Sequence, residues 1–207
     1  MSWLPKSYKE PSIGKDFLSP NRIEEGHPVK IRVLGHFDHP ETAVYGWSTW
    51  EGTKDKNVCH RVECTDEARA QLISKGYEKP QIFWALLIYN WEEMRPQVFE
   101  FTQATIRKRL IEIFEEESLG SPLTYDIKIS KKGTGKNSEY HVLNLPQSPL
   151  PDEVAEQISA SKCNVANLFT GEEVFGATIS ALELSPPKPT TLEKDDIPFP
   201  LNKGKEA

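Results

Sequence analysis

PQIFWALLIYNWEEMRPQVFEFTQATIRKRLIEIFEEESLGSPLTYDIKISKKGTGKNSEYHVLNLP, residues 80–146, carries the order of elements that decides the fold. Ile82 to Tyr89 is a continuous apolar run of strand length, rich in aromatic and branched residues, and reads as a central strand. After a turn near Glu92 and Glu93, Gln97 to Phe101 alternates and is expected to pair back antiparallel, with Val98 on one face and Phe99 and Phe101 on the other. Thr102 can cap a helix in which Ile106, Leu110, Ile113 and Phe114 recur at helical spacing, while Arg107, Lys108 and Glu115 to Glu117 face water and Gly120 marks the end. Two alternating strands follow, Thr124 to Lys132 with Tyr125, Ile127 and Ile129 inward, and Glu139 to Leu145, joined by the Gly133-Thr134-Gly135 turn.

Upstream, Val29 to Leu34 alternates apolar and basic residues, which on a strand turns Val29, Ile31 and Val33 inward and Lys30 and Arg32 outward. Between Thr42 and Cys64, the aromatic residues Tyr45, Trp47 and Trp50 with Gly46 and Gly52 suit a hairpin-like excursion. A short helix is expected over 65–75, capped by Thr65, with Asp66 and Glu67 in its first turn, Leu72 and Ile73 on its apolar side and Gly76 at its end. Residues 1–27, broken by Pro5, Pro11, Gly14, Pro20 and Gly26, read as an irregular arm. Downstream, Pro146, Pro149 and Pro151 precede a modest helix at 152–161, and from Ser185 onward proline and charge argue for disorder.

Three strands, a helix and two strands form the order of the OB-fold, a five-stranded Greek-key barrel with a helix between strands 3 and 4. The expected fold is therefore mainly β. Residues 28–146 would form the barrel, with 42–78 as an insertion after strand 1. Residues 147–184 would be a helical or irregular appendage lying outside a core complete by about residue 146, and 185–207 an acidic, proline-containing flexible tail.

The net charge of -6 is uneven: residues 1–145 carry 20 Lys plus Arg against 21 Asp plus Glu, and residues 146–207 carry 5 against 10. An acidic total argues against nucleic-acid binding by bulk charge, yet distribution over one face is what counts. Three cysteines, Cys59, Cys64 and Cys163, do not suggest a disulfide framework. No stretch is apolar for the roughly 18 to 20 residues of a membrane helix, and the N-terminus lacks a signal-peptide core, so a cytoplasmic protein is expected.

Binding a single strand without reading its sequence needs cations for phosphates and aromatic surfaces for unstacked bases. The cations Lys30 and Arg32, with Lys128, Lys131, Lys132 and Lys136 around the 133–135 turn, could line one groove. Aromatic candidates are Trp47, Trp50, Trp84, Tyr89, Trp91 and Tyr140. Against this stands a plainer reading, in which Trp84 and Tyr89 belong to the core of an apolar strand and the lysines decorate an ordinary solvated hairpin.

Through the block quoted above, with weaker support from VKIRVL (29–34) and YGWSTW (45–50), the sequence resembles phage-encoded single-stranded DNA-binding proteins. The resemblance implies an OB-fold that coats exposed single strands during replication, recombination and repair, with the basic turn and surface aromatics on the DNA. The tail segment Asp195-Asp196-Ile197-Pro198-Phe199 is similar to the acidic tip with which bacterial single-strand binding proteins recruit repair and replication enzymes, which would make replication or recombination proteins its partners. It departs from that tip because Pro200 to Ala207 follow the phenylalanine. Deleting 185–207 is expected to tighten DNA binding by removing an anionic competitor.

Zinc ligation by Cys59, His60 and Cys64 with His36 and His39 has little support, since the Cys-x4-Cys spacing lacks a second pair. No nucleophile motif or phosphate loop is present, so no enzyme, cofactor or metal is expected. A protein-interaction or transcription-regulating module on the same barrel, and RNA in place of DNA, are the alternatives.

Overall fold

The computed structural model describes residues 16–52, 57–77 and 79–176, and shows a mainly β protein: one mixed sheet of eight strands with a few helices. The strands are β1 (Phe17–Leu18), β2 (Val29–Val33), β3 (Ala43–Gly52), β4 (Asn57–Glu63), β5 (Gln81–Asn90), β6 (Arg95–Phe101), β7 (Tyr125–Lys132) and β8 (Glu139–Gln147). The helices are α1 (Asp66–Ser74), α2 (Ala104–Phe114), α3 (Asp152–Ala160) and α4 (Asn167–Thr170).

The sheet runs in the order β1-β6-β5-β2-β7-β8, with β3 joined to β5 and β4 joined to β3. All pairs are antiparallel except β1 with β6. The apolar run of β5 is long enough to take two neighbours on one edge: β3 along Gln81 to Leu86, and β2 along Ile88 to Asn90. The expected barrel is not closed by a ladder, because no pairing joins β6 to β8 among the described residues.

Alternation divides β5 between two cores. Leu86 and Ile88 face a first core with Ile31, Val33, Phe99, Phe101, Ile127, Ile129 and Val142, into which α2 inserts Ile106, Leu110 and Ile113. Phe83, Ala85 and Leu87 face a second core on the other side of the sheet, with Val44, Val98, Val165, Leu168, Val174 and Phe175. Because both faces are buried, β5 reads as an unbroken apolar run.

The second core corrects the expectation that the core is complete by residue 146. After β8 the chain crosses the outer face of the sheet as a belt, α3 followed by residues 161–176. Tyr89 Oη donates to Gln157 Oε1 at 3.3 Å, and the Val165 backbone N–H donates to the Glu41 carbonyl at 2.9 Å. Five apolar side chains brought by the belt, Val154 among them, are buried.

Four smaller expectations change. The N-terminal arm is not wholly irregular, since β1 adds a strand to β6 and Leu18 and Ile23 enter the first core. Residues 42–78 extend the main sheet through β3. Arg61 strengthens this link, reaching Glu100 of β6 with two bonds of 2.7 and 2.9 Å. Gln103, not Thr102, stands at the N-cap of α2, whereas Thr65 caps α1 as expected, its hydroxyl accepting from the Ala68 N–H at 3.1 Å. Leu72 is buried, but Ile73 on the same helix is exposed.

Candidate nucleic-acid interface

Strand register fixes which predicted site residues can meet. Ile31, Ile127, Ile129 and Val142 point into the first core, so their strand neighbours Lys30, Arg32, Asp126, Lys128, Ser130, Lys132, His141 and Leu143 lie on the opposite, outer face. Lys30 stands directly across from Lys128, and Lys128 from Leu143. The belt crosses β5 and β6 but leaves Lys128, Lys132, His141 and Leu143 exposed. This uncovered face of β2, β7 and β8 is the main concentration of surface cations among the predicted residues.

Arg32 is not an outward cation. Its side chain is 1% exposed, and its Nε donates to Asp126 Oδ1 at 2.7 Å. Its other nitrogens donate to the Leu123 and Ser148 carbonyls at 3.2 and 3.1 Å and to Ser148 Oγ at 2.8 Å. The two bonds to Ser148 tie the segment that leads from β8 into the belt to β2. A cavity of about 380 Å³ opens beside Arg32, lined by Leu123, Thr124 and Gln147 to Leu150, but the guanidinium is already committed to protein partners.

Asp126 is the centre of this cluster and was not singled out in the sequence. It takes Arg32 and the Trp91 indole N–H, the latter at 3.0 Å, on one oxygen, and Lys30 Nζ lies 3.5 Å from the other. Lys30 also sits over the Trp91 ring at 4.6 Å, and Tyr89 meets that ring edge-on at 5.0 Å. Two cations share one carboxylate, so the group keeps about one positive charge beside a half-buried indole. Tyr89 is fully buried, and burial pushes its phenol pKa up.

The remaining aromatics do not join this face. Trp47 and Trp84 lie on the first-core side of the sheet, where Trp84 packs with Phe37 at 4.8 Å and Phe101 at 6.0 Å. Arg69 stacks over Trp47 at 4.7 Å. Trp50, 65% exposed, lies on the far part of the β3–β4 hairpin. Nine residues of β5, about 30 Å, separate the pairing of Ser48 with Gln81 from that of Ile31 with Asn90. A single groove holding Trp47, Trp50 and the lysines is therefore not formed.

Nor do Lys131 and Lys132 act as a pair. Lys132 shares the outer face, whereas Lys131 stands across from Tyr140, which packs against the first core. The Lys136 side chain and the tail residues Asp195, Asp196, Ile197, Pro198 and Phe199 lie outside the described part of the structure.

The potential zinc ligands do not converge. His60 Nε2 lies 2.9 Å from Glu51 Oε2 and its ring stacks on Tyr77 at 4.6 Å, while Cys59 projects to the other face of β4. Among the described residues no three His, Cys, Asp or Glu side chains are placed to share a metal. Burial raises the Cys59 pKa and pushes that of Cys163 up to about 12, so neither thiol is predisposed to ionise. No described helix is long and apolar enough to cross a membrane.

The chain matches no family model, no curated protein and no solved structure.

Proposed function

We propose that the uncovered face of β2, β7 and β8 binds single-stranded nucleic acid, DNA in the first instance, without reading its sequence. The observation that carries this is the placement of Lys30, Lys128 and Lys132 on one face, with Trp91 and Leu143 as apolar neighbours. Lys128 and Lys132 are about 13 Å apart along β7 and suit successive contacts with an extended phosphate backbone.

An OB-type barrel is supported by the pairing order. Strand β2 lies between β5 and β7, β6 lies outside β5, β8 lies outside β7, and α2 falls between β6 and β7. Phe99 and Phe101 of β6 share a core with Val142 of β8, which draws the outer strands of the open sheet together. In that fold the usual ligand face spans strands 2 and 3, here β5 and β6. The belt covers that face, so the ligand is displaced toward β7 and β8. The resemblance of residues 80–146 to phage single-strand binding proteins adds the context of replication and recombination.

The test is a titration of fluorescently labelled oligo(dT) with the wild-type chain and with Lys128→Ala and Lys132→Ala. Each variant should weaken binding and flatten the dependence of log K on log salt by about 0.7. A wild-type chain that gives no saturable signal at low salt would overturn the proposal. The exposed Trp50 on the β3–β4 hairpin, away from the lysines, favours a second reading as a protein-docking module. Retained oligo(dT) binding by Trp50→Ala fits either role for the hairpin, but lost binding would remove the docking alternative.

A further inference from the structure

The turn between β7 and β8 is built around two glycines in the left-handed region, Gly133 at φ +78° and Gly135 at φ +58°. A Cβ on Gly133 would lie 2.6 Å from the Asn137 carbonyl oxygen, so the turn needs glycine there for space as well as for its dihedral. Its outward backbone N–H is not left to water. Gly133 N–H donates to Glu25 Oε1 at 3.0 Å, and Glu25 forms an isolated parallel bridge with Lys131. A carboxylate from a segment 108 residues away thus sits at the end of the lysine row formed by Lys30, Lys128 and Lys132.

Resting on the single-strand reading above, we propose that Glu25 holds the position of a backbone phosphate, and that the bound strand displaces it. The carboxylate oxygen occupies the place where a phosphate oxygen would accept the Gly133 N–H. Both anions use the same donor, and only one can do so at a time. Glu25 is exposed, and an exposed hydrogen bond to a carboxylate contributes little net stability, so a strand already held by the other lysines can replace it. In this arrangement Glu25 lowers the positive charge of the empty site by one and lowers affinity by a fixed factor.

Glu25→Gln separates charge from tether, because the amide oxygen still accepts from Gly133 while the anion is gone. It should bind oligo(dT) about two- to tenfold more tightly than wild type at low salt, the factor expected for one exposed charge-assisted bond. The salt slope should steepen by about 0.7, because the solution anion that takes the place of the lost carboxylate beside the turn is released when the strand binds. Glu24→Gln makes the same change in net charge but Glu24 faces His27 at 3.8 Å rather than the turn, and it should leave both quantities at wild-type values. Equal effects of the two variants, or a Glu25→Gln that binds no better than wild type, would overturn the proposal. A second measurement does not need the strand: inorganic phosphate should shift the Gly133 amide resonance of Glu25→Gln at lower concentration than that of wild type. If wild type fails to bind oligo(dT) but this shift difference is present, the single-strand reading fails and the phosphate position stands. If oligo(dT) binds and the shift difference is absent, the inference about Glu25 fails alone.

Discussion

Asp126 shows how one side chain can set the chemistry of a face. It lies 94 positions from Arg32 in sequence, accepts its Nε–H at 2.7 Å, and also holds the Trp91 indole in place. Buried ion pairs are weak evidence of stability as pairs, but removing one partner strands the other charge. Asp126→Ala should therefore lower unfolding free energy by about 3 to 5 kcal/mol, seen as a lower urea midpoint, and should free the Trp91 ring. Its stability cost would distinguish it from Lys128→Ala, which changes an exposed side chain. The division of Lys131 and Lys132 follows from strand alternation alone. With Tyr125, Ile127 and Ile129 turned inward, Lys131 falls on the inner side and Lys132 on the outer, so Lys131→Ala should cost less oligo(dT) affinity than Lys132→Ala.

Among the elements, the belt after β8 changes the architecture most. It adds Val165, Leu168, Val174 and Phe175 to the second core, and without them Phe83, Leu87 and Val98 would face water. Phe175→Ala should destabilise the whole domain by about 3 to 5 kcal/mol, the usual cost of truncating a buried phenylalanine. An unchanged urea midpoint would mean that the belt is not part of the cooperative unit. The helices were more legible than the belt: the spacing of Ile106, Leu110 and Ile113 marks α2, and Thr65 with Asp66 and Glu67 marks the start of α1. Of the belt, α3 agrees with the helix read at 152–161, but residues 161–176 were not legible because their apolar residues are scattered among turns and gain meaning only against the outer face of β5.

Over the whole molecule the negative charge is not where its proximity to the C-terminus suggests. Residues 147–176 hold Asp152, Glu153, Glu156, Glu172 and Glu173 against Lys162, whereas 185–207 hold four carboxylates against four lysines. The packed belt is thus acidic and the terminal segment is neutral. Deleting 185–207 should accordingly leave oligo(dT) affinity at low salt unchanged, contrary to the tightening expected from an acidic tail. Tighter binding after deletion would show that the local Asp195-Asp196 pair competes despite the neutral sum.

The amino-acid sequence by itself determined the longer strands and helices and their order, all but β1 and α4, because periods of 2 and 3.6 residues record which side of each element avoids water. It also placed the lysines of β7 and the glycine turn beside them. Only the tertiary structure decided that Arg32 is buried against Asp126, that Trp47 and Trp50 stand far from Lys128, that the belt covers β5 and β6, and that Glu25 meets Gly133. Those facts depend on strand register and on contacts between residues tens of positions apart, and local periodicity carries no information about either.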